Sequence, residues 1–209
     1  MQNKVKIKIC GIKSKEIALR AVEYGADMLG LVFAKSRRQV DLPTAYAIRD
    51  AVPKAYLVGV FKDQPLEEIL RISKACGLDA VQLHGNEAPV YLEKITLPVF
   101  RSVSVGQNGL SDFSFERWQG VEAFLLDTAL ADGSSGGAGT SFDWRNIHRD
   151  KIPGKIIVAG GLNQGNVTKA IKLLRPDAVD VSGGVERKGE KSPELIKLFI
   201  NEIRKFVED

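Results

Sequence analysis

Residues 155–184 read KIIVAGGLNQGNVTKAIKLLRPDAVDVSGG, and this stretch decides the fold of the 209-residue chain. Two short runs of apolar and β-branched residues, 155–159 and 178–182, are typical of buried strands. Between them, Asn163 is a candidate N-terminal cap for a helix that continues to Leu174. A strand, a helix and a second strand in this order predict parallel strands joined by a right-handed crossover.

The same alternation of strand and helix extends over nearly the whole chain. Six further runs have the composition of strands, at 5–10, 28–33, 56–61, 80–84, 99–105 and 123–127. Stretches at helical spacing, or helical turns, are predicted at 14–24, 41–52, 65–76, 87–95, 113–118 and 192–207. The chain therefore contains eight strand–helix units, one in roughly every 25 residues.

Eight such units are enough to close a (β/α)8 barrel, near the lower size limit of that fold. Most strand runs are apolar on both faces, as strands covered by helices should be. An open doubly wound sheet is the alternative, but it usually has fewer strands, and the count favours a closed TIM barrel. No linker or change of composition interrupts the chain. We therefore expect residues 1–209 to form one α/β domain.

Composition and charge exclude several classes of protein. With 44% hydrophobic residues the chain can form a core, and no apolar stretch approaches the ~18 residues of a membrane-spanning helix. The 30 Lys and Arg residues are interleaved with 26 Asp and Glu, so we expect no nucleic-acid partner. Even the densest basic stretch, 186–191, carries its own acids and is interpreted as solvated surface.

The beginning of the chain and its few cysteines indicate a cytoplasmic protein. MQNKVKIK at 1–8 alternates lysine with apolar residues, whereas a secretory signal needs an unbroken apolar run. We expect no association with a membrane. Two cysteines and two histidines are too few for a disulfide framework or a Cys/His zinc cluster, so we expect no metal.

In a (β/α)8 barrel the functional residues lie at the C-terminal ends of the strands and in the loops that follow. The polar or reactive residues at those positions are Cys10, Ser36, Arg37, Arg38, His84, Arg101, Asp127, Gly160, Gly161, Ser182, Gly183 and Gly184. The glycine pairs after the seventh and eighth strands predict a phosphate site, because glycine lets backbone N–H groups approach a phosphate closely. Ordinary turn glycines are the alternative for either pair alone.

Cys10 and Asp127 end the first and sixth strands, nearly opposite each other on the ring. A lone cysteine is usually a small buried hydrophobic residue, but a thiol near a phosphate site and a positive charge can ionise. A carboxylate that ends an apolar strand is either a cap of its loop or a functional acid whose pKa is raised by partial burial. The functional alternative offers a thiolate base and a carboxylic acid to one substrate.

Several other positions have both a binding and a structural interpretation. Arg38 could hold a substrate carboxylate through two parallel hydrogen bonds, but the neighbouring Arg37 could do the same. His84 could hydrogen-bond a substrate or only fix its loop. The glycine-rich segment 132–141 predicts either a lid or a plain long loop. Cys76, at the end of a predicted helix, is interpreted as a core residue.

Six short blocks resemble the phosphoribosylanthranilate isomerase family. They are KICGI at 8–12, QLHG at 82–85, LLDT at 125–128, GGAGTSFDW at 136–144, AGGL at 159–162 and DVS at 180–182. The blocks occur in the order of the family and span nearly the whole chain. The Cys-Gly-Ile start together with the Leu-Asp-Thr strand is quite specific, whereas the glycine pairs are shared with many phosphate-binding barrels.

The resemblance implies an isomerase of tryptophan biosynthesis that works without a cofactor. Its reaction is an Amadori rearrangement of N-(5'-phosphoribosyl)anthranilate to 1-(2-carboxyphenylamino)-1-deoxyribulose 5-phosphate. The implied partner is therefore a small phosphorylated substrate, and the chain would act as a monomer or a homodimer.

The resemblance also assigns roles to individual residues. Asp127 would be the general acid and Cys10 the general base. Arg38 would lie near the anthranilate carboxylate and Asp180 near the sugar hydroxyls, while Gly161 and the backbone of 182–184 match the phosphate cradle. Two positions depart from the family: Gly183 stands where a second serine is common, and SRRQV at 36–40 lacks the usual proline before the arginine.

Other functions on the same scaffold are the alternatives. The Amadori enzyme of histidine biosynthesis uses aspartates as both acid and base, and pentose-phosphate epimerases typically need metal ligands. Cys10 at the end of the first strand argues against both. A phosphate-ligand binder without catalytic activity is a third alternative, because fold alone does not fix function.

Overall fold

A closed barrel of parallel strands forms the centre of the molecule. The computed structural model describes residues 5–106, 109–110, 113–128 and 143–208. The eight barrel strands are β1 (Lys6–Cys10), β2 (Met28–Val32), β3 (Tyr56–Phe61), β4 (Ala80–Leu83), β5 (Val99–Gly106), β6 (Ala123–Thr128), β7 (Ile156–Val158) and β8 (Ala178–Val181). Each strand pairs with the next along the chain, and β8 pairs with β1 to close the ring. The predicted (β/α)8 barrel is confirmed.

In the described part of the chain, α-helices follow five of the eight strands. They are α1 (Lys15–Glu23), α2 (Leu42–Ala51), α3 (Leu66–Ala75), α4 (Val167–Leu174) and α5 (Pro193–Glu208). Short 3₁₀ turns follow β4, β5 and β6, at Pro89–Glu93, Phe115–Trp118, Trp144–Asn146 and Arg149–Lys151. The Asp41 carboxylate accepts a hydrogen bond from the Thr44 backbone N–H at 2.9 Å, which confirms the predicted cap of α2. None of the helices in the described ranges is long and apolar enough to cross a membrane.

Two predicted helices differ from the structure. The helix expected at 87–95 is only the 3₁₀ turn Pro89–Glu93. The Glu87 carboxylate forms hydrogen bonds to the backbone of loops and not to the first turn of a helix. That carboxylate accepts from the backbone N–H groups of Asp63 and Gly85, both at 2.9 Å. Such local bonds to the backbone compete with a helical first turn.

The helix after β7 begins three residues later than expected, with Asn166 and not Asn163 as its N-cap. The Asn163 side chain accepts from the Gly165 backbone N–H at 2.8 Å, and the Asn166 side chain accepts from the Asn163 backbone N–H at 2.8 Å. These bonds close a turn over 163–166, and α4 starts only at Val167.

Strand alternation separates two layers of side chains. On β1, Ile7 and Ile9 belong to the large core between the strands and the helices. Alternate residues point to the opposite face, which in a barrel is the interior. Met28, Val58, Ala80, Phe100, Ala123, Leu125, Ile157, Ala159 and Ala178 form a second apolar cluster. By this alternation the cluster fills the inside of the barrel, and Lys8 and Cys10 share its face.

Candidate active site

A cavity of about 320 Å³ opens at the C-terminal ends of the barrel strands. All ten residues proposed from the sequence for catalysis or binding line it: Cys10, Arg38, His84, Asp127, Gly160, Gly161, Asp180, Ser182, Gly183 and Gly184. The structure therefore brings together residues that lie up to 174 positions apart in the sequence. Arg37 does not line the cavity, and its side chain is 56% exposed against 14% for Arg38.

Arg101 was among the strand-end candidates, but it faces away from this cavity. Its guanidinium donates to the carbonyl oxygens of Leu83 and Gly85, at 3.1 and 2.9 Å, and to Glu87 Oε2 at 3.1 Å. It also lies over the Trp118 ring at 4.4 Å. These contacts give Arg101 a structural role on the outside of the barrel.

Lys8 lies inside the barrel, two residues before Cys10, and has no solvent exposure. Its Nζ donates to Asp180 Oδ2 and to Gln82 Oε1, both at 2.9 Å. Burial acts to lower the pKa of the ammonium, but the Asp180 carboxylate and the Cys10 thiol outweigh it and raise that pKa above its ordinary value. A fixed positive charge therefore lies beside the sulfur.

The Cys10 thiol is buried, and burial raises its pKa above the ordinary value. The ammonium groups of Lys8 and Lys191 act in the opposite direction and favour the thiolate, whereas Asp180 disfavours it. The sulfur has room because β2 carries Gly30 at this point: a Cβ there would lie 2.8 Å from Sγ. The thiol is therefore buried, and two ammonium groups act against the effect of burial on its pKa.

Asp127 has a different set of neighbours. Its Oδ1 accepts from the Thr128 backbone N–H at 2.8 Å, and its Oδ2 lies 3.3 Å from His84 Nε2. On the other side of the imidazole, Nδ1 lies 2.8 Å from Gln82 Nε2. Because Gln82 Oε1 accepts from Lys8, the amide nitrogen faces the ring and donates to Nδ1. This places the ring proton on Nε2, the ring nitrogen nearer to Asp127.

A chain of hydrogen bonds crosses the barrel from Asp180 through Lys8 and Gln82 to His84, whose Nε2 lies 3.3 Å from Asp127 Oδ2. It connects the surroundings of the thiol with the carboxyl. Sequence reasoning missed Lys8 and Gln82. The available signal was their position, since each lies two residues before a strand-end candidate and alternation places such residues on the same face.

The backbones of the loops after β7 and β8 lie in close contact. Gly160 and Gly161 have φ of +73° and +64°, in the left-handed region that favours glycine. A Cβ on Gly184 would lie 2.9 Å from the Leu162 carbonyl carbon, so only glycine allows the two loops to pack this closely. Ser182 Oγ donates to the Cys10 carbonyl oxygen at 3.1 Å and fixes the second loop to β1.

A cluster of charged residues closes the rim of the cavity, and we call Arg37, Arg38, Glu186 and Lys191 the rim cluster. Glu186 Oε1 accepts from Arg38 Nε at 2.7 Å and from Lys191 Nζ at 2.6 Å. Its Oε2 accepts from Arg38 Nη2 at 3.1 Å and from Arg37 Nη2 at 2.9 Å. Burial alone would raise the pKa of Glu186, but these cations lower it to about 2.

The rim cluster corrects one expectation. The stretch 186–191 was interpreted as solvated surface, yet the side chains of Glu186 and Lys191 are only 5% and 4% exposed. The two residues lie on paired strands of a short antiparallel hairpin, Glu186–Arg187 and Glu190–Lys191, which brings them opposite each other. The residues between them, Arg187, Lys188 and Glu190, face solvent.

One part of the cavity wall is apolar. Cys10, Val32, Ala34 and Val60 form a small cluster next to the arginine loop. Within the described part of the chain, no group of three or more His, Cys, Asp or Glu side chains is arranged to hold a metal ion. The segment 132–141, for which a lid or a long loop was expected, lies outside the described residues.

A closed barrel with a polar cavity at the C-terminal ends of its strands places the chain among the (β/α)8-barrel enzymes. Comparison with known proteins is more specific: a family model described as N-(5'phosphoribosyl)anthranilate (PRA) isomerase matches residues 7–202. The chain belongs to this family of isomerases.

Individual relatives agree with the family model. The N-(5'-phosphoribosyl)anthranilate isomerase of Desulforudis audaxviator is 44% identical over 195 residues, which cover 93% of this chain and 95% of the relative. The crystal structure of the Thermotoga maritima enzyme superimposes with a TM-score of 0.84 at 39% identity, covering 96% and 99% of the two chains.

A further structure of such an isomerase contains reduced 1-(o-carboxyphenylamino)-1-deoxyribulose 5-phosphate. It is 36% identical to this chain, with a TM-score of 0.79 and coverage of 96% and 99%.

Proposed function

We propose that this chain isomerises N-(5'-phosphoribosyl)anthranilate to 1-(2-carboxyphenylamino)-1-deoxyribulose 5-phosphate in tryptophan biosynthesis, by general acid–base catalysis. The observation that carries the proposal is that Cys10 and Asp127, far apart in sequence, line one cavity together with Arg38 and the two glycine loops. A base, an acid and two anion-binding ends are what an Amadori rearrangement of this substrate requires.

In the first step, Asp127 donates its proton to the furanose ring oxygen. The bond between that oxygen and C1 breaks, the anthranilate nitrogen supplies its electron pair, and an iminium ion results. The Thr128 backbone N–H and His84 hold the carboxyl oxygens in place, at 2.8 and 3.3 Å. Holding the acid in one orientation keeps it within reach of the oxygen that it must protonate.

In the second step, the Cys10 thiolate removes the proton from C2 of the sugar. The C2–H electron pair forms a double bond to C1, and the iminium nitrogen takes up the electrons as an enolamine. Tautomerisation then gives the aminoketone, with no net change in oxidation state. Lys8 and Lys191 favour the thiolate that this step needs.

The two ends of the substrate fit the two ends of the cavity. Backbone N–H groups of Gly160–Gly161 and 182–184 would bind the phosphate, and Gly183 keeps its backbone donor although it has no hydroxyl. Arg38 would bind the anthranilate carboxylate while the apolar wall contacts the aromatic ring. Asp180 Oδ1 is buried and has no hydrogen-bond partner among the described residues, so it is available to a sugar hydroxyl.

The partner and location of the chain follow the same proposal. The partner would be this small phosphorylated substrate. Another solved structure, 38% identical with a TM-score of 0.81, is of monomers generated from the dimeric isomerase of Thermotoga maritima. For this chain, a homodimer or a monomer and a cytoplasmic location stay predictions.

The test is turnover of freshly prepared N-(5'-phosphoribosyl)anthranilate by the purified protein, followed through the loss of anthranilate fluorescence. Cys10→Ala should abolish the reaction, whereas Cys76→Ala removes a buried thiol outside the cavity and should leave it intact. Turnover of the corresponding intermediate of histidine biosynthesis instead, or binding without turnover, would refute the proposal in favour of its rivals.

A further inference from the structure

Glu186 is a buried carboxylate for which the proposed reaction has no use. Three cations converge on it: Arg38 through two bonds, and Arg37 and Lys191 through one bond each. Removing a carboxylate from water is costly unless it is fully paired. Glu186 meets that condition, and the cluster as a whole remains positively charged.

The contact with Arg38 fixes the orientation of the guanidinium. A guanidinium carries five N–H groups in a rigid plane, and Glu186 occupies the Nε–Nη2 edge. The Nη1–Nη2 edge is left for a second carboxylate. The aliphatic stem is also held close, because Cδ of Arg38 would lie 2.7 Å from a Cβ on Gly11. The side chain is thus fixed at both its stem and its head.

Lys191 connects this arrangement to the glycine loop after β8. Its Nζ donates to Glu186 Oε1 at 2.6 Å and also to the carbonyl oxygen and Oγ of Ser182, at 3.1 and 3.2 Å. Ser182 begins the glycine loop proposed for the phosphate. One ammonium group therefore ties the support of Arg38 to that loop.

We propose that Glu186 is a positioning residue that presents the free edge of Arg38 to the carboxylate on the aromatic ring of the substrate. Holding a long flexible side chain in its binding orientation before the substrate arrives removes part of the entropy cost of binding. The surplus of cations keeps Glu186 from repelling the incoming carboxylate. This inference rests on the proposed function, because it assumes that the ring carboxylate meets Arg38.

The experiment compares Glu186→Gln with Glu190→Gln. Glu190 lies on the same hairpin, but its ion pair with Lys13 is exposed. The probes are reduced 1-(o-carboxyphenylamino)-1-deoxyribulose 5-phosphate and the same molecule without the ring carboxyl. For Glu186→Gln, we expect the inhibition constant of the first probe to rise about tenfold and that of the second to change less than about twofold. Glu190→Gln should alter neither constant.

Turnover gives a second readout. A residue that only positions a binding group should raise KM with little change in kcat, since the lost binding is equal in ground state and transition state. Equal weakening of both probes would show a merely structural role and overturn the inference. Tighter binding of the first probe would also overturn it, because Glu186 would then be a competitor for Arg38.

The same set of measurements separates this inference from the proposed function. If the wild-type chain turns over the substrate but does not prefer the probe with the carboxyl, only the inference fails. If the wild-type chain has no turnover and binds neither probe, the proposed function itself fails.

Loss of the Glu186 charge leaves Lys191 buried without its partner and could destabilise the fold. The double variant Glu186→Gln, Lys191→Met removes both charges together. The ratio of the two inhibition constants remains the readout, because both probes carry the same phosphate. That ratio should fall as it does in the single variant, and an unchanged ratio would overturn the inference.

Discussion

The two sides of the cavity are built from different kinds of groups. On the thiol side, Cys10 has the ammonium groups of Lys8 and Lys191 and the carboxylate of Asp180 among its neighbours. On the carboxyl side, Asp127 contacts a backbone N–H and the imidazole of His84. Ionic groups surround the first reactive group, and hydrogen-bonding dipoles hold the second.

The two groups need opposite protonation states for the proposed reaction. A base has to lose its proton before the reaction, and a neighbouring cation favours that loss even in a buried site. An acid has to keep its proton, which a cation in contact would oppose. The ammonium groups of Lys8 and Lys191 act on the thiol, whereas the Arg38 guanidinium acts on both reactive groups.

The strongest test of the carboxyl side is Asp127→Asn. The amide keeps the size and most contacts of the side chain but cannot donate a proton to the ring oxygen. We expect kcat to fall about a thousandfold. Binding of reduced 1-(o-carboxyphenylamino)-1-deoxyribulose 5-phosphate, measured by titration, should stay nearly unchanged. Turnover close to that of the wild type would remove Asp127 from the mechanism.

On the thiol side, the corresponding change is Lys8→Met. Lys8 acts to lower the pKa of Cys10, so its removal raises that pKa further. The thiolate is the active form and is lost as the pH falls through this pKa. The rising limb of the pH–rate profile should therefore move to higher pH, with about a tenfold loss at neutral pH for each unit of movement.

The rate of alkylation of Cys10 by iodoacetamide, measured against pH, should move in the same direction in this variant. Lys155→Met is the matched control, because Lys155 forms an exposed pair with Glu122 far from the thiol. Circular dichroism checks the fold, since Asp180 loses its partner. A pH–rate profile identical to that of the wild type would mean that Lys8 does not set the ionisation of Cys10.

Three glycines provide a finer comparison of the two sides. Gly160, Gly11 and Gly154 have similar φ values of +73°, +80° and +70°. A Cβ on Gly160 would lie 2.6 Å from the Thr128 backbone nitrogen, whereas the atoms nearest to one on Gly11 belong to side chains, with Arg38 Cδ at 2.7 Å. On Gly154 it would meet no described atom within 4 Å.

Replacement by alanine should therefore destabilise the protein in the order Gly160, Gly11, Gly154. The last variant has only the strain of the left-handed backbone, about 1 kcal/mol, and Gly160→Ala adds roughly 2 kcal/mol of crowding. Thermal unfolding monitored by calorimetry gives the order. A Gly11→Ala variant less stable than Gly160→Ala would show that the thiol side, and not the carboxyl side, is the more rigid.

Local patterns were sufficient to predict the barrel and the strand-end residues that line its cavity. Apolar runs and their spacing identify the eight strands, and the ends of those strands identify Cys10 and Asp127 without any knowledge of contacts. The prediction of a helix at 87–95 was wrong because Glu87 accepts a hydrogen bond from a loop 24 residues earlier in the sequence. No local pattern reveals this contact.

The burial of the charged residues Lys8, Glu186 and Lys191 could not be predicted from the sequence for the same reason. Lys8 alternates with isoleucines, a pattern that also describes a strand with one solvated face. Its partner Asp180 lies 172 residues away. Likewise, Glu186 and Lys191 are buried, and Glu186 pairs with Arg38, which lies 148 residues away. A charged residue whose sequence pattern predicts solvent exposure is buried when a residue far away in the sequence pairs with it.

The pairing of Lys8 with Asp180 has a consequence for assembly. The two residues stand opposite each other in the register of β1 and β8, the strands that close the ring. In the closed barrel, an ammonium at this position without a counterion would be strongly disfavoured. The strand that closes the ring therefore also supplies the counterion of Lys8 and one of the charges that act on the thiol.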